Sequence, residues 1–197
     1  MEHSPDRRSE IKTEIIRKLI HFLVALSPFM ASLSRIFTLA FLLTGTACYA
    51  VFEILRLKGI NIPLVSVLTN MSSRPRDRGH FIWSPVTLGM GAFFSFLIFP
   101  HLTAAIAVYA MAFGDGLAGL VGKLFGRLKP RFLFGKSVEG SLACCAAVLL
   151  CSWLLTSDLK ISLIAAITAM LTEALPLGDF DNLALPLVVG TVMYIVM

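Results

Sequence analysis

Long apolar runs broken by short polar stretches dominate the chain. Seven segments stand out, at about 19–33, 36–55, 84–100, 102–122, 140–156, 161–177 and 183–197. Each comes near the ~20 residues that carry a helix across a bilayer. The pattern predicts an all-α integral membrane protein of about seven transmembrane helices in one bundle. Residues 1–197 are then one domain, with little chain left for a soluble one.

Composition agrees: 57% of the residues are apolar, 15% are charged, and mean hydropathy is +0.83. Acids are mixed among the basic residues at the start (Glu2, Asp6, Glu10, Glu14), and no small-residue cleavage site follows the first apolar run. The first span is therefore expected to be retained rather than removed as a signal peptide. Cys48, Cys144, Cys145 and Cys151 lie in apolar spans without a CxxC pair, as packing residues do.

The formal charge of +5 is best explained by where it lies. Lys and Arg fall in three blocks: Arg7, Arg8, Lys12, Arg17 and Lys18; Arg56, Lys58, Arg74, Arg76 and Arg78; Lys123, Arg127, Lys129, Arg131 and Lys136. With seven spans and a cytosolic N-terminus all three face the cytosol, leaving Arg35 and Lys160 outside, which satisfies the positive-inside rule. Topology alone accounts for the excess, so no nucleic-acid partner is expected. The two longer connections, 56–83 and 123–139, lie on the same side, making it the working side.

Polar groups inside the apolar runs carry the chemistry. Gly114, Ala118, Gly122 and Gly126 recur every four residues, a small-residue face for close helix packing. That face does not explain Asp115 in the same span. An ionised aspartate at a helix centre costs roughly 2.5–3.5 kcal/mol on insertion scales and usually faces the bundle interior. Glu173, in the sixth span, raises the same question. Asp115 precedes Lys123 by eight residues and Glu173 precedes Asp181 by eight, which on a continuous helix puts both roughly 12 Å below the cytosolic surface. No Lys or Arg of those two spans is near enough in sequence to neutralise them. They must be protonated or share a cation; Mg²⁺, with Asn182 as a carbonyl ligand, suits such hard oxygens. A protonated, hydrogen-bonded structural pair is the competing reading.

The loop after the fourth span, "GKLFGRLKPRFLFGKSVEGS", combines five basic residues with glycines that let a backbone approach phosphate. Lys136 offers a mobile point charge and Ser137 a hydroxyl. Pro130 stands where GxxxxGK[ST] requires its first glycine, so this is not a Walker A loop. In the first span "RKLIH" puts Arg17 and His21 on one face, with Lys18 beside them; snorkelling explains cations at a helix end, but His21 lies a turn deeper.

The stretches "RKLIH", "GDGLAGLVGKLFGR", "GKSVEGS" and "EALPLGDFDNLALPL", in this order, resemble the polyprenol kinase family, CTP-dependent membrane kinases acting on dolichol, phytol, farnesol or diacylglycerol. The resemblance runs from the first span to the seventh, and "SSRPRDRGHFIWSP" matches only loosely. It implies transfer of the γ-phosphoryl of CTP to a lipid alcohol with a divalent cation, within one transmembrane kinase domain. It implies Asp115, His21 and Lys136 as catalytic residues. Arg17, Lys18, Gly122, Lys123, Gly126, Arg127, Ser137, Glu139 and Gly140 would bind nucleotide, and Asp115, Glu173, Asp181 and Asn182 the metal. Asp115 could hold Mg²⁺ or accept the hydroxyl proton. The partners implied are CTP, a lipid alcohol and membrane lipids.

A phosphatidate cytidylyltransferase, which forms a CDP-lipid from CTP, is the nearest rival. Those enzymes share a glycine- and aspartate-bearing membrane segment followed by a basic loop, but "EALPLGDFDN" stands where their "HGG…DRxD"-like ending is expected. A transporter using buried acids at mid-membrane is a more distant rival. The off-centre depth of the acids and the nearly apolar outer face count against it.

Overall fold

The structure, a computed structural model, describes residues 7–60 and 79–197. Arg74, Arg76, Arg78 and the first half of "SSRPRDRGHFIWSP" lie outside the described residues. Every regular element among those described is helical. They are α1 (Arg7–Leu23), a 3₁₀ turn (Val24–Leu26) leading into α2 (Ser27–Leu33), α3 (Arg35–Leu57), α4 (Ser84–Ile98), α5 (His101–Tyr109), a π turn (Ala110–Asp115), α6 (Gly116–Leu124), α7 (Val138–Thr156), α8 (Leu159–Glu173) and α9 (Asp181–Val196). Among the described residues five stretches are long and apolar enough to cross a membrane: Thr13–Leu33, Arg35–Leu57, His101–Leu124, Val138–Thr156 and Gly178–Val196. α4 and α8, at 15 residues each, are shorter.

Local sequence explains where the rods begin and end. Pro28 and Pro85 occupy the first turns of α2 and α4, where a missing N–H costs nothing. Pro176 follows α8, and Pro186 lies in the interior of α9. Ser34 caps α3, Ser137 caps α7, and Asp158 caps α8 through Lys160 N at 2.7 Å and Ile161 N at 3.1 Å.

The rod α5–π turn–α6 is the axis of the bundle. Within His101–Leu124 61% of the membrane-length window is buried, against 17% for Arg35–Leu57. From Ala104 to Ala112 every residue except the half-buried Tyr109 is buried. Large apolar side chains point outward from the surrounding rods instead: Phe29, Leu33, Ile36, Leu154 and Ile195 are all more than 60% exposed. That inversion suits a lipid-facing surface.

Gly114 fits against Val148 and Cys144 of α7, and Gly122 approaches Ser137 and Gly140, so the small-residue face packs on α7. Gly116 and Gly119 of the same rod face α1 instead. A Cβ at Gly119 would lie 2.6 Å from Lys18 Cε, so glycine there admits the lysine.

At the far end of α3 a fully buried carboxylate ties a turn to the bundle. Glu53 accepts from Arg56 Nε at 2.8 Å, from the Arg56 terminal nitrogen at 2.7 Å, and from Ile82 N at 3.0 Å; Arg56 also donates to His80 O at 3.0 Å. This clasp fixes the segment that leads into α4. Removing one partner of a buried pair typically costs about 3–5 kcal/mol. Glu53→Ala is expected to destabilise the protein by that order, read as a lower thermal midpoint in detergent micelles.

Candidate active site

A cavity of about 550 Å³ lies where α1, the π turn, α6, the loop into α7, the α8–α9 turn and the start of α4 meet. Of the residues singled out from sequence, Arg17, Lys18 and His21 of α1 line it, as do Asp115, Gly122 and Lys123 of the central rod. Lys136, Ser137 and Gly140 at the entry to α7 line it too, and so do Glu173, Asp181 and Asn182. Gly126, Arg127 and Glu139 do not. Glu139 accepts from Arg127 N at 2.9 Å and Leu128 N at 3.2 Å, tying the loop rather than facing the cavity. Gly126 backs the wall: a Cβ there would press to 2.7 Å from Ser137 Oγ.

The π turn sets Asp115. Such a wide turn departs from the regular i→i+4 ladder and recurs at functional sites. Here two of its carbonyls are taken by α1: Lys18 Nζ donates to Asp115 O at 2.9 Å, and His21 Nε2 donates to Met111 O at 3.0 Å. Lys18 Nζ also reaches Asp115 Oδ2 at 2.6 Å, and His21 Nε2 lies 3.4 Å from the same oxygen. The cation that neutralises Asp115 therefore comes from the first helix. Lys18, His21 and Asp115 are all buried, so the pair is held in low dielectric where attraction is strong.

A second ion cluster stands opposite. Lys136 Nζ lies 3.2 Å from Glu173 Oε1 and 3.2 Å from Asp181 Oδ2, and it donates to the Glu173 carbonyl. Ser141 Oγ donates to Glu173 Oε2 at 3.3 Å. Lys136 reaches this position because Phe134 and Gly135 both adopt positive φ, 50° and 89°, closing a turn in which Lys136 N bonds Leu133 O at 2.9 Å. Burial opposes charge on Lys136, but the carboxylates of Glu173 and Asp181 outweigh it and hold its pKa above the usual 10.5. A raised lysine pKa means the stabilisation is complete below the ordinary value and is lost only as pH climbs through the raised one. Throughout the neutral range Lys136 stays charged.

This cluster corrects the depth assigned from sequence. Glu173 is the last residue of α8, and the chain then turns through Pro176 and a short 3₁₀ segment, Gly178–Phe180, before α9 begins at Asp181. The eight positions that separate the two acids are therefore not 12 Å of helix. Both carboxylates meet one ammonium and sit at one level.

The far wall is sewn together by α4. Asn182 Nδ2 donates to Ser84 O at 3.2 Å and Thr87 Oγ1 at 3.3 Å, and Thr87 Oγ1 donates to Asp179 O at 2.7 Å. The amide nitrogen of Asn182 is thus committed to α4, and only its oxygen can serve a cation. Among the described residues no group of three or more His, Cys, Asp and Glu side chains stands close enough to hold a metal. Asp181 Oδ1 is nevertheless buried without a hydrogen-bond donor. Mg²⁺ often takes only one or two protein carboxylates and fills its shell with water and phosphate. The residues suit a cation of that kind, which Asp181 and Glu173 would hold, and not a closed protein cage.

Sequence reasoning passed over Glu14, which is 2% exposed and lines the cavity. Its spacing carried the signal: four residues before Lys18 and seven before His21, it shares their helix face. Lys129, Ser84 and Asp179 line the cavity as well. Among the described lining residues, five are Lys or Arg and five are Asp or Glu, so their formal charges balance.

In comparison with known proteins, the chain is 33% identical over 132 residues to a phytol kinase from Synechocystis sp., a match covering 61% of this chain and 56% of that protein. The chain thus spans about half the length of the curated relative it matches. No family model matches, and no solved structure matches.

Proposed function

We propose that the protein is a membrane kinase that transfers the γ-phosphoryl of CTP to the hydroxyl of a lipid alcohol, working from the cytosolic side. The observation that carries the reading is the cavity itself, in which basic side chains from α1, α6 and the loop before α7 face carboxylates from the π turn and the α8–α9 turn. Phosphoryl transfer needs mainly positioning and charge neutralisation, which such a wall supplies. The partial likeness to a phytol kinase supports the same reading, because phytol is a lipid alcohol. The ordered motifs support CTP as donor, and the three basic blocks support a cytosolic site and N-terminus with seven spans.

In this reading the acceptor oxygen bonds to the γ-phosphorus as the bond to the bridging oxygen breaks, and CDP departs. Lys18, Lys123 and Lys136 hold phosphate oxygens. Asp115, paired with Lys18, is the group that takes the hydroxyl proton or shares a cation. Mg²⁺ held by Asp181 and Glu173 supplies charge neutralisation on the phosphates when bound. The acceptor is an isoprenoid alcohol, a polyprenol or diacylglycerol.

The test uses purified protein, a panel of lipid alcohols plus phosphatidate, and CTP labelled at the γ or the α position. Label reaching lipid only from the γ position is expected. Label from the α position would instead mean CDP-lipid synthesis, and no lipid label with any acceptor would remove the kinase reading.

A further inference from the structure

We infer that Glu14 is an internal counter-anion of the donor site, holding Arg17 and Lys123 until the phosphates of a nucleotide displace it. The inference rests on the phosphoryl-transfer reading above and concerns a residue outside all four motifs that support it.

Glu14 belongs to α1 and is 2% exposed. One carboxylate oxygen accepts from an Arg17 terminal nitrogen, one turn along the same helix. The other meets Lys123 Nζ at 2.8 Å, on α6. One buried anion in the cavity wall therefore joins two cations from two elements. A carboxylate so buried requires such partners, because an unpaired charge there would be strongly unfavourable.

The cations are not equally bound in return. Arg17 Nε is buried and has no hydrogen-bond partner, so the guanidinium, which offers five donors in a planar fork, still has one unspent. The Lys123 side chain is 40% exposed and remains within reach of an entering anion. Gly119 lets the group assemble, since a Cβ there would press on Lys18 and approach Glu14 Oε1 to 3.4 Å.

Charge balance turns this geometry into a function. With five cationic and five acidic side chains among the described lining residues, these contribute no net positive charge to draw in a polyanion. A triphosphate binds by exchange, taking Arg17 and Lys123 from the Glu14 carboxylate. As the phosphates leave, the carboxylate recaptures both cations and favours product release. Glu14 is thus a positioning residue that weakens ground-state binding and speeds turnover.

The substitution that removes its charge and keeps its shape, Glu14→Gln, separates this role from a structural one. Equilibrium binding of labelled CTP and of inorganic triphosphate is measured on the full chain in detergent, together with kcat and KM. The variant is expected to bind both anions about tenfold more tightly, with KM and kcat falling together. Lys123→Met, which deletes a held cation, is expected to weaken triphosphate binding by a similar factor. A Glu14→Gln protein that binds no more tightly than wild type, or Lys123→Met affinity equal to wild type, overturns the inference. If Glu14→Gln does not fold, Glu14→Asp, which shortens the reach of the carboxylate to Arg17 and Lys123, is expected to tighten binding of both anions in the same direction, and unchanged affinity overturns the inference. Failure of the kinase reading looks different: wild type then binds the anions but transfers no γ label to any lipid.

Discussion

Asp115→Asn is expected to lower phosphoryl transfer by roughly 10²–10⁴-fold, the range associated with removing a positioned proton acceptor. Asparagine matches aspartate in size, so the fit beside Lys18 and His21 survives while the charge is lost. The same change strands the Lys18 ammonium, 3% exposed and otherwise bonded to the Asp115 carbonyl at 2.9 Å. Breaking a buried pair is costly, so stability should drop along with activity. The double variant Lys18→Met with Asp115→Asn separates the two effects, because it removes both charges at once. Its thermal midpoint is expected to recover toward wild type while transfer stays lost. Recovery of transfer with the midpoint would show that the pair only holds helices together.

Lys136→Met is expected to reduce transfer by roughly 10²–10³-fold, comparable to the loss of one aimed donor at a developing charge. The methionine keeps much of the length but leaves Glu173 and Asp181 facing each other without the ammonium that now lies 3.2 Å from each. Two effects then point the same way: a phosphate loses its cation, and two like charges repel it. Lys136→Arg keeps the charge but replaces a point cation by a planar fork, so partial activity is expected. Steady-state transfer assays on the three proteins, normalised to the folded fraction, check this ordering.

The helices were legible because membrane spans advertise themselves by length and apolarity. All seven segments read from the sequence reappear as rods, although α4 and α8 are shorter than the apolar runs that contain them. Prolines explain much of the difference. Pro176 ends α8 early, so an apolar run that continued to Leu177 overstated the helix and set Glu173 too deep. Conversely, Pro28 and Pro85 sit where helices start and break nothing.

The site was legible in its residues and not in its pairings. Asp115 and Lys136 stood out locally, one as an acid in an apolar run, the other as a lysine in a glycine-bearing loop. Their partners are distant in sequence: Lys18 reaches Asp115 across 97 positions, and Lys136 reaches Asp181 across 45. A search confined to the acids' own spans could not find such cations. The π turn was equally hidden, because no residue type marks it, yet it carries the Met111 and Asp115 carbonyls that receive α1. Glu14 was passed over because acids near a chain start ordinarily face water. Here the i, i+4, i+7 spacing with Lys18 and His21 was the better guide.

The central claim is that triphosphate lies in this cavity between the Asp115 and Lys136 clusters. Its most direct test is an experimental structure of the protein with a non-hydrolysable CTP analogue and Mg²⁺. The account expects the β and γ phosphates within hydrogen-bonding distance of Lys123 and Lys136, with the terminal phosphate facing Asp115. Nucleotide bound elsewhere, with the Lys18–Asp115 and Lys136–Glu173 pairs undisturbed and no phosphate between them, would contradict it.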